Sequence, residues 1–324
     1  MKLDAAGCGS MVVDLFYRTP RIIGADEKIL LNPKPTNPQA AVGGVVLNHL
    51  GWAQVLGLKT GIFGKIGNDA NGKLLRRGMR RLGIKPHLTS DGSASSFATI
   101  FLDPAGNRAI YMSRGATAEL TPNEIEQIHR GFIASAPIIT TEISQVPLRT
   151  VVAVLRIAQE NGLTSILDVD VPPSDAYATL GSQKELELAL RLATILKPAK
   201  AAARELASKD ATDDSLKTAA LLRERYRNRA VLLTDGERGC AIAAESEALN
   251  VPAFRVKQVD STGAGDAFMG ALIAGLRWGL PWAHIGRLGN AAGAVCVTQI
   301  GAFPSGFHQF QEIQRLFGEP LPNR

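Results

Sequence analysis

What the sequence has little of narrows it first. Its 324 residues include three cysteines, Cys8, Cys240 and Cys296, far apart and with no Cys-x-x-Cys pair. That excludes a disulfide framework and predicts reduced, buried thiols in a cytoplasmic protein. Five histidines, His49, His87, His129, His284 and His308, show no metal-ligand spacing and read as core or surface side chains. No apolar run reaches the ~18 residues that span a bilayer. The Met-Lys-Leu-Asp start leads to no long apolar segment, so no signal peptide is expected. There is no internal repeat and no low-complexity tract. No Gly-x-Gly-x-x-Gly follows the first strand, which counts against a dinucleotide-binding oxidoreductase.

What is present suits a globular protein. Hydrophobic residues make up 45% of the chain and charged residues 20%, enough for a large core. The length allows one large or two small domains. The net charge of +6 is modest. Its local clusters, Arg76-Arg77, Arg80-Arg81 and Arg223 to Arg227, are interleaved with acids or set at helical spacing. They read as solvated helix faces, so neither a nucleic-acid nor a membrane partner is expected. A slight positive excess suits a protein that handles phosphates.

The first apolar run ends at Gly9-Ser10-Met11-Val12-Val13-Asp14 and reads as one short strand with a polar exit. Residues 18–39, rich in proline and asparagine, suit extended strands and turns. A helix follows Gly43-Gly44, a strand covers Thr60–Ile66, and the turn Gly67-Asn68-Asp69 leads into a basic helix, Asn71–Leu82. Residues 95–112 alternate and break at Asp103-Pro104-Ala105-Gly106-Asn107, which reads as a hairpin. From Ile138 to Thr234 strands and helices alternate, which predicts a mostly parallel sheet with helices on both faces. The extended pieces near 15–40 and 95–112 do not fit that rhythm and suggest a small accessory sheet acting as a lid. Two long apolar helices are expected over about 265–278 and 281–297.

The most informative segment is Asp260-Ser261-Thr262-Gly263-Ala264-Gly265-Asp266, which opens directly into an apolar helix. Small residues let backbone N–H groups approach an anion. The helix points its positive end at the same place. A carboxylate there, Asp266, can accept a proton from a hydroxyl as its oxygen attacks a phosphoryl group.

This segment resembles the C-terminal signature of the PfkB family, the ribokinase-like carbohydrate kinases. The resemblance runs over nearly the whole chain and implies one kinase domain, a three-layer α/β/α sandwich with a small β-sheet lid. Gly43-Gly44-Val45-Val46-Leu47-Asn48 resembles the family's acceptor-binding element, and Gly64 to Asp69 with Gly72 the rest of its N-terminal signature. The resemblance implies Asp266 as catalytic base, an anion hole of Gly263, Ala264 and Gly265, and Asp14, Gly43, Gly44 and Asn48 on the acceptor. Glu142 and Arg114 are further acceptor candidates; Arg114 reads equally as a surface arginine. Thr234, Gly236 and Gly239 resemble the nucleotide-binding turn, with Asn290 toward the base and Lys197 toward the phosphates. Asp260, Thr262, Cys296, Gly301 and Ser305 fall where the family holds a monovalent cation, which makes K⁺ a candidate cofactor beside Mg²⁺ and the donor ATP.

The chain also departs from the pattern. Relatives read Lys-Pro-Asn-x-x-Glu where this chain has Lys197-Pro198-Ala199-Lys200-Ala201-Ala202, so the usual support for magnesium-bound water is absent. Asp168 and Asp170 are the candidate substitutes, and Lys200 a candidate phosphate contact. Three functions stay open: a sugar kinase, a nucleoside kinase with an apolar acceptor pocket built from Phe16, Phe97, Phe101 or Tyr111, and a non-catalytic binding or regulatory relative. Exposed lid strands suggest a homodimer.

Overall fold

A computed structural model describes residues 2–31, 39–105, 107–210 and 212–322. Part of the proline-rich stretch (32–38) and Gly106 of the hairpin turn lie outside the described residues. Among the described residues there are thirteen strands: β1 (Ala5–Cys8), β2 (Val12–Arg18), β3 (Gln39–Gly43), β4 (Thr60–Lys65), β5 (Lys85–Thr89), β6 (Phe97–Leu102), β7 (Arg108–Ser113), β8 (Ile138–Ile143), β9 (Thr164–Val169), β10 (Ile195–Pro198), β11 (Ala230–Thr234), β12 (Cys240–Ala244) and β13 (Ala248–Val251). Nine form one sheet in the order β13-β12-β11-β10-β9-β8-β1-β4-β5. From β11 to β5 every neighbouring pair is parallel. The antiparallel β12 and β13 close one edge. The other four strands form a separate sheet, β3-β2-β6-β7, the lid. Among the described residues no helix is long and apolar enough to cross a membrane.

The first apolar run is not one strand. Its start belongs to β1 in the main sheet and its end to β2 in the lid. A Cβ on Gly9 would lie 2.2 Å from Val46, so the chain passes hard against the helix Val45–Val55 before it swings out of the sheet. The sequence reading also missed β5, β12, β13 and the helix His308–Phe317. Asp69 accounts for the turn before the basic helix: its carboxylate accepts from the Gly72 N–H (2.7 Å) and from the Ser95 N–H (2.8 Å).

The helices Val45–Val55 and Ala264–Trp278 pack against each other, and that contact places the site. Gly270 sits one turn beyond Asp266, and a Cβ there would fall 2.4 Å from Trp52 Cβ and 2.8 Å from the His49 carbonyl. Glycine is therefore what lets the helix bearing Asp266 settle onto the one bearing Asn48. Gly270→Val is expected to destabilise the protein by about 1–3 kcal/mol, read by urea denaturation, because neither backbone can yield.

Candidate active site

The parallel strands end on a common edge, where α/β proteins place their sites. Register alone aligns three polar side chains there. Glu142 on β8 pairs with Asp168 on β9, and Asp168 with Lys197 on β10. All three are buried. Lys197 Nζ lies 3.1 Å and 3.3 Å from the two Asp168 oxygens. Glu142 Oε1 accepts from the Ser10 N–H (3.0 Å), and Ser10 Oγ accepts from the Val45 N–H (2.8 Å). The crossover out of β1 is thus tied both to the strand ends and to the start of the helix Val45–Val55.

That helix faces the row. Asn48 Nδ2 donates to Asp266 Oδ2 at 2.7 Å. The next residue, His49, is fully buried, with Nδ1 3.2 Å from the Thr140 hydroxyl. Its Nε2 lies 3.2 Å from Asp168 Oδ2 and 3.5 Å from Asp266 Oδ1. Nε2 meets neither carboxylate with hydrogen-bond direction. It lies between them as a charge between two charges.

The electrostatics follow from crowding. Burial and then the Asp266 charge push Asp14 up to about 7. Burial, helped by the charges of Asp170 and Asp168, pushes Glu142 up to about 7. Water reaches Asp170, yet the protein walls around it, then Asp168 and Asp266, raise it to about 6. Burial opposes charge on Asp168, but Lys197 and His49 hold it below the usual carboxylate range. Burial opposes charge on His49 too, and the two carboxylates outweigh it, raising the imidazole to about 9. Asp14, Glu142 and Asp170 therefore hold protons in the folded state that they release when unfolded, across roughly pH 4 to 7, so their contribution to stability falls as pH rises there. His49 acts in the same sense: its contribution is complete below about pH 6.5 and is lost as pH rises through about 9. The melting temperature without nucleotide is expected to fall from about pH 5 to about pH 9. A rise over that range would contradict this charge assignment.

The phosphate end is built around the helix Ala264–Trp278. Gly263 caps it in the left-handed region (φ 81°), and no side chain caps its first N–H groups. A Cβ on Gly265 would lie 3.0 Å from Lys197 Nζ, so the ammonium sits beside the loop. Free N–H groups and a cation make an anion seat. A cavity of about 670 Å³ opens from it, lined by Thr234, Gly236, Gly239, Ala264, Gly265 and Asn290. Asn290 Nδ2 is spent on the carbonyls of Val251 and Pro252, both at 3.0 Å. A larger groove, about 840 Å³, lies at the opposite ends of the strands, against Ile138 and Thr164.

The structure brings Asp14, Glu142, Asp168, Asp170, Lys197 and Asp266 together with Asn48. A Cβ on Gly43 would lie 2.4 Å from Asp14 Oδ2, and Gly44 takes φ 107° against the Ser10 carbonyl, so both glycines shape the Asp14 end. Arg114 points elsewhere and donates to the Thr179 carbonyl (2.9 Å). Lys200 is paired with Asp235 at 2.7 Å. Ala199 begins the helix Lys200–Ala207, whose Ala202 is buried in the core. Two residues escaped the sequence reading. His49 is one; its signal was a histidine in a mostly apolar helix, where a buried polar group needs partners. Arg108 is the other: from β7 it donates to the Thr262 hydroxyl and lies 3.7 Å from Asp260.

The lid's pleat separates its aromatics. Asp14, Ala98 and Met112 are register partners, as are Phe16, Ile100 and Ile110, so these share one face. Phe97, Phe101 and Tyr111 occupy the other face, where Phe101 stacks on Tyr17 at 5.5 Å.

The chain matches the model of the pfkB family of carbohydrate kinases over residues 4–306. It is 29% identical to a probable fructokinase-5 of Arabidopsis thaliana, over 92% of each chain. It is 29% identical to the bifunctional ribokinase/ribose-5-phosphate isomerase A of Fructilactobacillus sanfranciscensis, over 83% of this chain but 47% of that longer protein. The structure of Arabidopsis thaliana ribokinase complexed with ribose and ATP superposes with a TM-score of 0.82 at 20% identity, over 99% of this chain and 100% of that one. With its ribokinase-like sheet and lid, the chain belongs to the pfkB family of carbohydrate kinases, ATP-dependent phosphotransferases.

Proposed function

We propose that the chain transfers the γ-phosphoryl group of ATP to a hydroxyl of a small, uncharged polyhydroxy acceptor, a sugar in first place, with Asp266 as general base. The observation that carries this is the placement of Asp266. It stands at an uncapped helix N-terminus, held by Asn48, with the carboxyl groups of Asp14, Glu142 and Asp170 around the same cleft. A ring of carboxyl groups suits hydroxyls and repels a phosphate or carboxylate on the acceptor. Lys197 and His49 are already committed to Asp168, and Arg108 to the Asp260–Thr262 end.

In this reading the acceptor lies under the lid between Asp14, Gly44 and Asn48. Asp266 removes the hydroxyl proton as the oxygen attacks the γ-phosphorus; the bond to the β-phosphate oxygen breaks and ADP leaves. The N–H groups at Gly263, Ala264 and Gly265, with Lys197, hold the transferring group. Thr234, Gly236, Gly239 and Asn290 line the nucleotide end. Arg108, brought by the lid, adds positive charge at the Asp260–Thr262 end of the loop.

Magnesium fits this donor set. Asp170 presents a carboxylate to the cleft with no hydrogen-bond partner among the described residues, and it would hold the ion with Asp168 nearby. When bound, Mg²⁺ neutralises charge on the nucleotide phosphates. The candidate potassium ligands are engaged with one another. Asp260 accepts from the Thr262 N–H (2.9 Å), the Thr262 hydroxyl (2.7 Å) and the Gly301 N–H (3.0 Å). Cys296 Sγ donates to the Thr262 carbonyl at 3.5 Å. Gln299 donates to the Gly301 carbonyl at 3.4 Å and accepts from Ser305 at 3.3 Å.

The relatives named ribokinase and fructokinase support a sugar. A nucleoside is the second reading, but only Phe16 of the four candidate aromatics shares the Asp14 face. The test is ADP release with Mg-ATP over neutral sugars, cyclic polyols, nucleosides, sugar phosphates and sugar acids. Turnover is expected with neutral polyols; turnover confined to anionic acceptors would overturn the acceptor class, and none at all the kinase activity. The edge strands β3 and β7 of the lid also suit a homodimer, which light scattering would read.

A further inference from the structure

We infer that Gln145 is a specificity-determining residue: its buried amide, just past the end of β8 and beneath the lid, takes a hydroxyl of the acceptor other than the one that is phosphorylated. The inference rests on the neutral polyhydroxy acceptor proposed above and deepens it.

β8 ends at Ile143, and Ser144, Gln145 and Val146 carry the chain to Pro147, at the start of the helix Leu148–Glu160. Gln145 is 2% exposed, so its amide is cut off from bulk water. A buried amide needs partners for one oxygen and two N–H groups. Among the described residues its Oε1 has none. Its Nε2 meets the Met112 thioether at 3.9 Å, and a thioether is a weak acceptor. In the free protein this amide costs free energy that an apolar side chain of the same length would not. A ligand that pairs with it accounts for its presence there.

The placement of the amide identifies that ligand. Met112, Ala98 and Asp14 form one row across the lid, since Met112 pairs with Ala98 and Ala98 with Asp14. Asp14 closes on the catalytic end, where the Asp266 charge acts on it. Met112 closes on Gln145. The row therefore bridges the cleft from the base to the loop after β8, and an acceptor beneath it meets Gln145 as well as Asp266. Glu142, at the end of the same strand, also has a buried oxygen without a partner, Oε2. An unpaired oxygen calls for a donor, and an under-used N–H calls for an acceptor. A hydroxyl is both, and it brings no charge into a cleft crowded with carboxyl groups. The Met112 side chain is exposed and flexible, so it yields its place to the hydroxyl at little cost.

The test is Gln145→Met, which keeps the length of the side chain and removes the amide. Kinetics with Mg-ATP use the neutral acceptor that wild type turns over fastest, beside each of its mono-deoxy analogues. The variant is expected to raise the KM for that acceptor about 10–100-fold, with kcat and the KM for ATP within about threefold of wild type. Wild type should disfavour several of the deoxy analogues. The variant should shrink the penalty in kcat/KM for one of them to within about threefold and leave the others as they were. Without acceptor its melting temperature should equal or exceed that of wild type, because no buried amide is left unpaired. An acceptor KM within about twofold of wild type, or a loss shared equally by the parent acceptor and every analogue, would overturn the inference. So would a variant that does not fold or that melts more than about 5 °C lower, because the amide would then be holding the fold together. A wild type with no turnover on any neutral acceptor sinks the proposed function, and this inference with it; an active wild type beside an unimpaired Gln145→Met sinks only the inference.

Discussion

Asp266→Asn should lower kcat by about 10²–10⁴-fold and leave the KM for ATP nearly unchanged. The size follows from what asparagine keeps and loses. Its amide has nearly the same shape and still fills the place at the head of the helix Ala264–Trp278, so the anion seat and Lys197 stay in position. It cannot accept the acceptor's proton. Its amide oxygen can still take the hydrogen bond from Asn48, which keeps the helix contact. The loss should therefore sit in kcat. Steady-state kinetics in ATP and acceptor check it, and a variant with wild-type kcat would remove Asp266 from the chemistry.

The second large effect concerns stability. Lys197→Met should destabilise the protein by about 3–5 kcal/mol, because it leaves Asp168 a buried carboxylate without its main counter-charge. Asp168 is completely buried and the Lys197 side chain 4% exposed, so water cannot replace the ammonium. His49 alone would face both Asp168 and Asp266. Adding Asp168→Asn to Lys197→Met should recover most of the stability, since a neutral amide asks for no counter-charge. Urea denaturation of both proteins checks this. The single variant should also bind ATP more weakly, as its anion seat has lost its nearest cation; a double variant no more stable than the single would refute the pairing argument.

The sequence carried the chemistry of the phosphate end because that chemistry is local. Asp260 to Asp266 are contiguous, and two aspartates bracketing Thr-Gly-Ala-Gly are far more specific than glycines that merely open a helix. The same holds for Gly43-Gly44 and Asn48. The parallel sheet was also readable, from the alternation of short apolar strands with helices. What stayed hidden depends on pairing. His49 gains its partners only when Gly270 lets two helices meet. Arg108 reaches Thr262 across 154 positions, through a lid whose closure no local pattern encodes. The aromatics show the limit most plainly. Phe16, Phe97, Phe101 and Tyr111 are alternative candidates for an apolar pocket in the sequence, and which of them share a face depends on the parallel register of β2 with β6. That register puts Phe97, Phe101 and Tyr111 away from Asp14. Likewise the apolar run shows no hydrophobic break, yet the chain changes sheets between Cys8 and Val12. The fate of Ala199 and Ala202 was legible as a loss, whereas the replacement needed coordinates: Asp170 open to the cleft.

The central claim is that Asp266 deprotonates a hydroxyl of a neutral polyol while the γ-phosphoryl group passes to it. Phosphorus-31 NMR of wild type and Asp266→Asn, each mixed with Mg-ATP and the same neutral polyols, reads that event directly. The account predicts a new phosphate monoester with equal ADP from wild type, and both formed at least about 100-fold more slowly by the variant, although ATP still raises the variant's melting temperature. Inorganic phosphate without a monoester from wild type, or the same monoester at the same rate from Asp266→Asn, would contradict it.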